Sequence, residues 1–334
     1  MPGDPLTFSV RLPSGTAARE FTAAAVAAES AGFDQIWTGN DQFKRSGIVP
    51  VTLALAATSR IRVGSSVLNP VTLHPIEIAS LVAGLQDLSG GRYLLGLGAG
   101  SEVYLRWAAL DFASPVARTR RGLRIVKALL EDRPVSELPG EEGWSEHARL
   151  VGPPVPATPI YVGAMGPKML AMAGREADGV LALCLPPSHA EWVREQVGTL
   201  TASAFDMACC IWVSIDDDAD AARERLRPKI AAAGGHLAPE VLARAGLDPE
   251  RCARVQARWD AGDRQQALAS VDDAMMQLGV AGDVDLVLER CGRLIDAGVR
   301  HLSFGQPLGE SPVAAIRLLG SRVLPELREK VRCA

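Results

Sequence analysis

The residues of this chain best placed to do chemistry lie in Pro159-Ile160-Tyr161-Val162-Gly163-Ala164-Met165-Gly166-Pro167-Lys168-Met169-Leu170. An apolar run ends in a glycine turn, and a proline then opens a helical stretch. Proline suits a first helical position because its φ is fixed there and its missing N–H would have had no partner. Gly163 and Gly166 let the backbone turn so that free N–H groups face outward at the helix's positive end. Such an arrangement favours an anion, most often a phosphate. The same residues also suit a tight strand-to-helix loop in any α/β protein. A second segment has a similar design: Gly91-Arg92-Tyr93-Leu94-Leu95-Gly96-Leu97-Gly98-Ala99-Gly100-Ser101 is an apolar strand ending in closely spaced glycines. Gly98 and Gly100 remove side chains where a flat ligand or another backbone could come close. No Gly-x-Gly-x-x-Gly opens a helix here, so this is not a dinucleotide fingerprint. Two glycine-lined strand ends in one chain point to a cofactor pocket.

These turns need a scaffold that presents strand ends side by side. Glycine follows a helical stretch and precedes an apolar run at Ala31-Gly32-Phe33, Asp178-Gly179-Val180 and Ala297-Gly298-Val299. That pattern reads as a left-handed helix cap and then a buried strand. Candidate strands fall near 6–12, 33–38, 61–67, 93–98, 159–163, 179–184, 206–214 and 299–305. Helical patterns follow at about 16–31, 48–58, 75–88, 116–132, 167–176, 188–200, 217–232 and 283–297, with a last helix near 311–331. Eight strands, each followed by a helix, favour a closed TIM-like (β/α)8 barrel over a doubly wound sheet. Two insertions are expected. Residues 133–157 are rich in proline, glycine and acid, and 233–282 carry a helical period that predicts an extra helical layer. With no evident linker, 1–334 reads as a single domain.

Hydrophobic residues make up 48% and charged residues 22% of the 334, so a large core is expected. The net charge of −4 gives no electrostatic reason for a nucleic-acid or membrane partner. Arg118, Arg120, Arg121 and Arg124 read as a solvated helix face. Neither a secretory signal nor a transmembrane span is evident, which predicts a cytoplasmic protein. Cys184, Cys209, Cys210, Cys252, Cys291 and Cys333 have no Cys-x-x-Cys spacing, so they read as core fillers or free thiols, and no metal site is expected. His74 reads as a helix start. His147, His189, His236 and His301 read as surface or loop residues.

Several stretches resemble the bacterial-luciferase-like superfamily: Ile61-Arg62-Val63-Gly64-Ser65-Ser66-Val67-Leu68-Asn69-Pro70, His74-Pro75, Ser89-Gly90-Gly91-Arg92 and Gly96-Leu97-Gly98-Ala99-Gly100. Gly163-Ala164-Met165-Gly166-Pro167-Lys168-Met169-Leu170, with Ala177-Asp178-Gly179-Val180, is similar to the methylenetetrahydromethanopterin reductases, which use the deazaflavin coenzyme F420. The resemblance implies a TIM-like barrel with the cofactor at the C-terminal strand ends. It also implies a non-proline cis peptide at Ser66–Val67, in a bulge behind the ring. Ser66, Val67, Leu68, Asn69, Gly98, Ala99 and Gly100 would face the cofactor, and its phosphate would meet Gly163, Ala164, Met165, Gly166, Pro167 and Lys168.

The sequence departs from those reductases where they place ring-side polar groups. Asp41 is kept, but Gln42 stands where a histidine is usual, and glutamine does not shuttle protons near neutral pH. Arg11 occupies the place of a first-strand glutamate. Ser101 replaces an acid after the glycines, with Glu102 one position along. Arg11 suits an anionic substrate group, or it pairs with Asp41 or Glu102 and holds the barrel mouth together. The resemblance therefore implies an F420-dependent oxidoreductase moving a hydride to or from a small organic substrate, in the direction of C=N or C=C reduction. An FMN-dependent monooxygenase and a non-catalytic ligand-binding barrel are the alternatives. A homodimer is expected through the helices around 48–88 and 102–132.

Overall fold

The computed structural model describes residues 6–198 and 205–332, so Cys333 lies outside the described residues. Its strands are β1 (Thr7–Leu12), β2 (Gln35–Thr38), β3 (Arg62–Leu68), β4 (Tyr93–Leu97), β5 (Ile160–Ala164), β6 (Gly179–Leu183), β7 (Asp206–Ile215), β8 (Gly279–Gly282) and β9 (His301–Leu308). Side chains alternate between two faces along each strand. Phe8, Val10 and Leu12 of β1 therefore join the apolar layer under the helices, and Ser9 and Arg11 face the barrel axis. The axis is filled by Trp37, Leu94, Tyr161, Leu181, Ala208 and Cys210.

All strand pairs are parallel, in the order β6-β5-β4-β3-β2-β1-β9-β7, and a β6–β7 pairing closes the ring at eight strands. The expected barrel is present. β8 is a ninth strand: β6 pairs with Asp206–Cys210 of β7, and β8 pairs above it with Trp212–Ile215. The stretch 233–282 is therefore not helical throughout, because its last four residues extend along an edge of β7 that would otherwise stand bare. The rest of it forms the helices Pro239–Arg244, Pro249–Asp260, Arg264–Ala269 and Asp273–Met276. They enclose a second apolar cluster with Trp212, Leu226, Ile230, Val255 and Met275. The other insertion, 133–157, contains one short 3-10 turn at Val135–Glu137.

Gly32 and Gly298 take the expected left-handed turns, at φ 81° and 90°. Gly179 does not. It begins β6, where an added Cβ would lie 2.5 Å from the Tyr161 ring. The arginine row forms ion pairs: Arg118 with Asp111, Arg121 with Glu141, and Arg120 and Arg124 with Glu176. Cys184, Cys209, Cys210, Cys252 and Cys291 are buried free thiols. Among the described residues there is no cluster of potential metal ligands and no helix long and apolar enough to cross a membrane.

Candidate active site at the barrel mouth

Successive βα turns bring the glycine-rich ends of β4 and β5 beside the end of β3. Ser66–Val67 is cis, and the β3–β4 register shifts between Ser65 and Leu68, as the resemblance implied. The glycines serve this bulge. A Cβ on Gly98 would lie 2.7 Å from Val67 Cγ2, and one on Gly163 would lie 2.8 Å from Val67 Cγ1. Gly100, at φ 69°, would likewise meet the Asn69 amide at 2.7 Å. The room these glycines leave is filled by Val67 and Asn69, so it is not an open slot for a flat ligand. Asn69 is fully engaged: its Nδ2 donates to Ala99 O at 2.8 Å, and its Oδ1 accepts from Val71 N at 2.8 Å. Leu68 is buried, with its side chain in the layer under the helices, so only its main chain is left for the site.

Gly166 is different. It is the N-cap of the helix Pro167–Glu176, without a side-chain cap, and a Cβ there would meet nothing within 4 Å. The first-turn N–H groups therefore face open space at the helix's positive end, where an anion is favoured. Met165, Pro167 and Lys168 are exposed around it, and Ala164 is buried.

Of the polar candidates, Glu102 turns away. It pairs with Arg106 at 2.5 Å on the surface of its own short helix, Glu102–Trp107, and so replaces no ring-side acid. Ser101 is that helix's N-cap and makes no side-chain cap bond. Gln42 donates from Nε2 to Thr72 Oγ1 at 3.1 Å, while its Oε1 is buried without a partner. Asp41 receives no ion pair from Arg11, and Arg11 Nε is buried with no hydrogen-bond partner. The expectation that Arg11 pairs with Asp41 or Glu102 fails on both counts.

Sequence reasoning missed several residues at this mouth. Lys229 places its ammonium 5.1 Å from the centroid of the Trp212 ring, a cation–π contact. Phe43, Tyr104 and Trp107 form a mutual aromatic cluster with centroids 5.4–6.4 Å apart. Lys229 lies in the helix Ala219–Ala233 beyond β7 and carries no local motif, so only the fold brings it to the site. Two histidine readings are corrected as well. His301 and His189 are buried, 1% and 5% exposed. His74 caps its helix as expected, its Nδ1 accepting from Ile76 N.

Residues 5–301 match the family described as luciferase-like monooxygenase. The chain is 32% identical over 312 residues to a 5,10-methylenetetrahydromethanopterin reductase of Archaeoglobus fulgidus, covering 90% of this chain and 93% of that protein. It is 29% identical over 333 residues to an F420-dependent glucose-6-phosphate dehydrogenase of Nakamurella multipartita, covering 92% of each. The solved coenzyme F420-dependent tetrahydromethanopterin reductase of Methanopyrus kandleri superposes with a TM-score of 0.84 at 28% identity, over 97% of this chain and 100% of that one. With its barrel, its β3 bulge and a family match over most of its length, the chain belongs to the luciferase-like monooxygenase family.

Proposed function

We propose that this protein is an F420-dependent oxidoreductase that transfers a hydride between the deazaflavin and a small organic substrate, in the direction of C=N or C=C reduction. The observation that carries the reading is the near-full-length similarity, in sequence and in structure, to reductases of that chemistry. The residues present suit such a cofactor. The open, uncapped start of the helix Pro167–Glu176 would take a phosphate, with Gly163, Gly166 and Lys168 around it. Val67, wedged between Gly98 and Gly163, gives the mouth a rigid wall at β3 to back a flat ring. When bound, a deazaflavin supplies the hydride chemistry, and the protein supplies position and dryness. Asp41 is the mouth carboxylate that we assign to holding a proton, since Glu102 faces away and Gln42 cannot serve. The planar guanidinium fork of Arg11 suits recognition of an anionic substrate group better than proton transfer. The exposed Val49, Leu53, Ile76 and Leu88 on the helices Ile48–Ala57 and Pro75–Ser89 support a homodimer through that face.

Titration of the purified protein with F420 and with FMN tests the reading. F420 should bind more tightly, and the reduced cofactor should be stable to oxygen in the complex. Tight FMN binding with no F420 affinity would replace this reading by a flavin monooxygenase.

A further inference from the structure

Arg11 points along the barrel axis at the end of β1. A Cβ on Gly305 of β9 would lie 2.7 Å from Arg11 Nη2 and 2.9 Å from Ile211 O. Glycine is therefore required at 305 for the guanidinium to lie where it does. Gly305 is the cross-strand partner of Trp212, and the Trp212 ring carries Lys229. The path from Arg11 to Gly305 to Trp212 to Lys229 thus places two cations on the β1–β9–β7 side of the mouth. The phosphate-facing turn after β5 belongs to the other side of the ring of strands.

Among the described residues, no carboxylate lies within 4.0 Å of either cation. Arg11 Nε has no hydrogen-bond partner although it is buried, and an orphaned buried donor on a charged group is destabilising unless a ligand satisfies it. The surroundings reinforce the deficit of negative charge. Burial, with Arg11 and Lys44 close by, pulls the Lys229 ammonium below its ordinary pKa, and only Asp41 opposes them.

We infer that Arg11 and Lys229, set over Gly305 and Trp212, form a seat for an anionic group of the substrate, a carboxylate or a phosphate. The inference deepens the reductase reading, since it names the substrate class of the same mouth. The planar fork of Arg11 gives two parallel donors to an oxyanion, and Lys229 adds a mobile point charge held over an aromatic face. A substrate gripped there would extend from the β1–β9–β7 side toward the wall at β3.

The test uses the cofactor-free protein, titrated with inorganic phosphate and with malonate at constant ionic strength and followed by tryptophan fluorescence. Wild type should bind at least one probe saturably, and the tighter probe tells phosphate from carboxylate. Arg11→Gln and Lys229→Gln should each raise that dissociation constant by about tenfold or more, while Lys330→Gln, on the far helix, should not change it. Absence of saturable binding in wild type, or equal affinity in the variants, would overturn the seat. F420 affinity measured in the same proteins separates the two readings. If the variants bind F420 as wild type does, the seat serves substrate; if they lose F420 together with the probe, the cations serve the cofactor and the inference fails. If wild type binds the probe but no F420, the seat stands and the reductase reading falls.

Discussion

Valine in place of Gly166 separates binding from folding. Its φ of −90° is open to any residue, and no atom lies within 4 Å of the added Cβ. Gly166→Val should therefore leave stability within about 0.5 kcal/mol of wild type, as surface changes usually do. It should weaken F420 binding by about tenfold or more, because the side chain fills the space in front of the helix N–H groups. A thermal melt and a binding titration on one preparation check both halves, and unchanged affinity would move the phosphate elsewhere. This residue was legible in the sequence because a glycine before an N1 proline has a local meaning. Gly98 and Gly163 were legible only as glycines. What they make room for is Val67, contributed by another strand, and no local pattern records it.

The eight barrel strands were readable to within three residues at each end, because each is an apolar run bounded by turn chemistry. The short helix Glu102–Trp107, in contrast, was not foreseen, and the last helix is interrupted at Leu319–Val323. β8 was not foreseen either. Gly279-Val280-Ala281-Gly282 is too short and too glycine-rich to signal a strand, and it exists because β7 outruns β6. The devices that aim β3 were also hidden. Arg92 donates to Leu55 O at 2.7 Å, Thr58 O at 3.0 Å, Ile61 O at 3.1 Å and Ser89 O at 3.0 Å. It thereby closes the end of the helix Ile48–Ala57 and the turn into β3. Burial lowers its pKa, and the nearby Glu29 carboxylate raises it. Glu29 holds the same turn from the other side, accepting from Arg60 N at 2.6 Å and Ile61 N at 2.8 Å. Arg92, part of the stretch that carries the family resemblance, is thus a positioning residue. Arg92→Met leaves four carbonyls without their donor and should cost about 3 kcal/mol. For a chain of 334 residues that corresponds to a fall in Tm of about 4 °C, and F420 affinity should fall with it as the β3 bulge loosens. Lysine at 92 should recover only part of the loss, since an ammonium cannot reach four carbonyls in a plane. A melt of Arg92→Met indistinguishable from wild type would show that the turn closes without it.

At the scale of the whole molecule, the barrel must join its first strand to its last, and a buried polar network does this at the N-terminal end. His301 of β9 places Nε2 2.8 Å from Ser9 Oγ of β1 and Nδ1 2.9 Å from both Asp206 oxygens on β7, while Tyr161 of β5 donates to Asp206 Oδ2 at 2.7 Å. Four strands meet in one set of contacts, which span sequence separations of up to 292 residues. No spacing rule sees such a contact, so His301 read as a loop residue although it ties the closing seam. Burial pushes the Asp206 carboxyl up, but the His301 charge and the hydrogen bonds from His301, Tyr161 and Gln35 outweigh it, leaving the pKa below its ordinary value. A carboxyl depressed in the folded state stabilises it above the unfolded value of about 4, and loses that contribution as pH falls through the folded value. Asp206→Asn removes the charge and should cost about 2–3 kcal/mol at pH 7, since the partners it leaves are buried. Urea unfolding of both proteins at a series of pH values checks this. The gap should be full at neutral pH, begin to shrink below about pH 4 as the unfolded carboxyl takes up its proton, and close only below the lower folded value. A gap that stayed constant down to pH 3 would mean that asparagine fails by shape rather than charge, and that the seam is held by packing around His301 instead of by its ion pair.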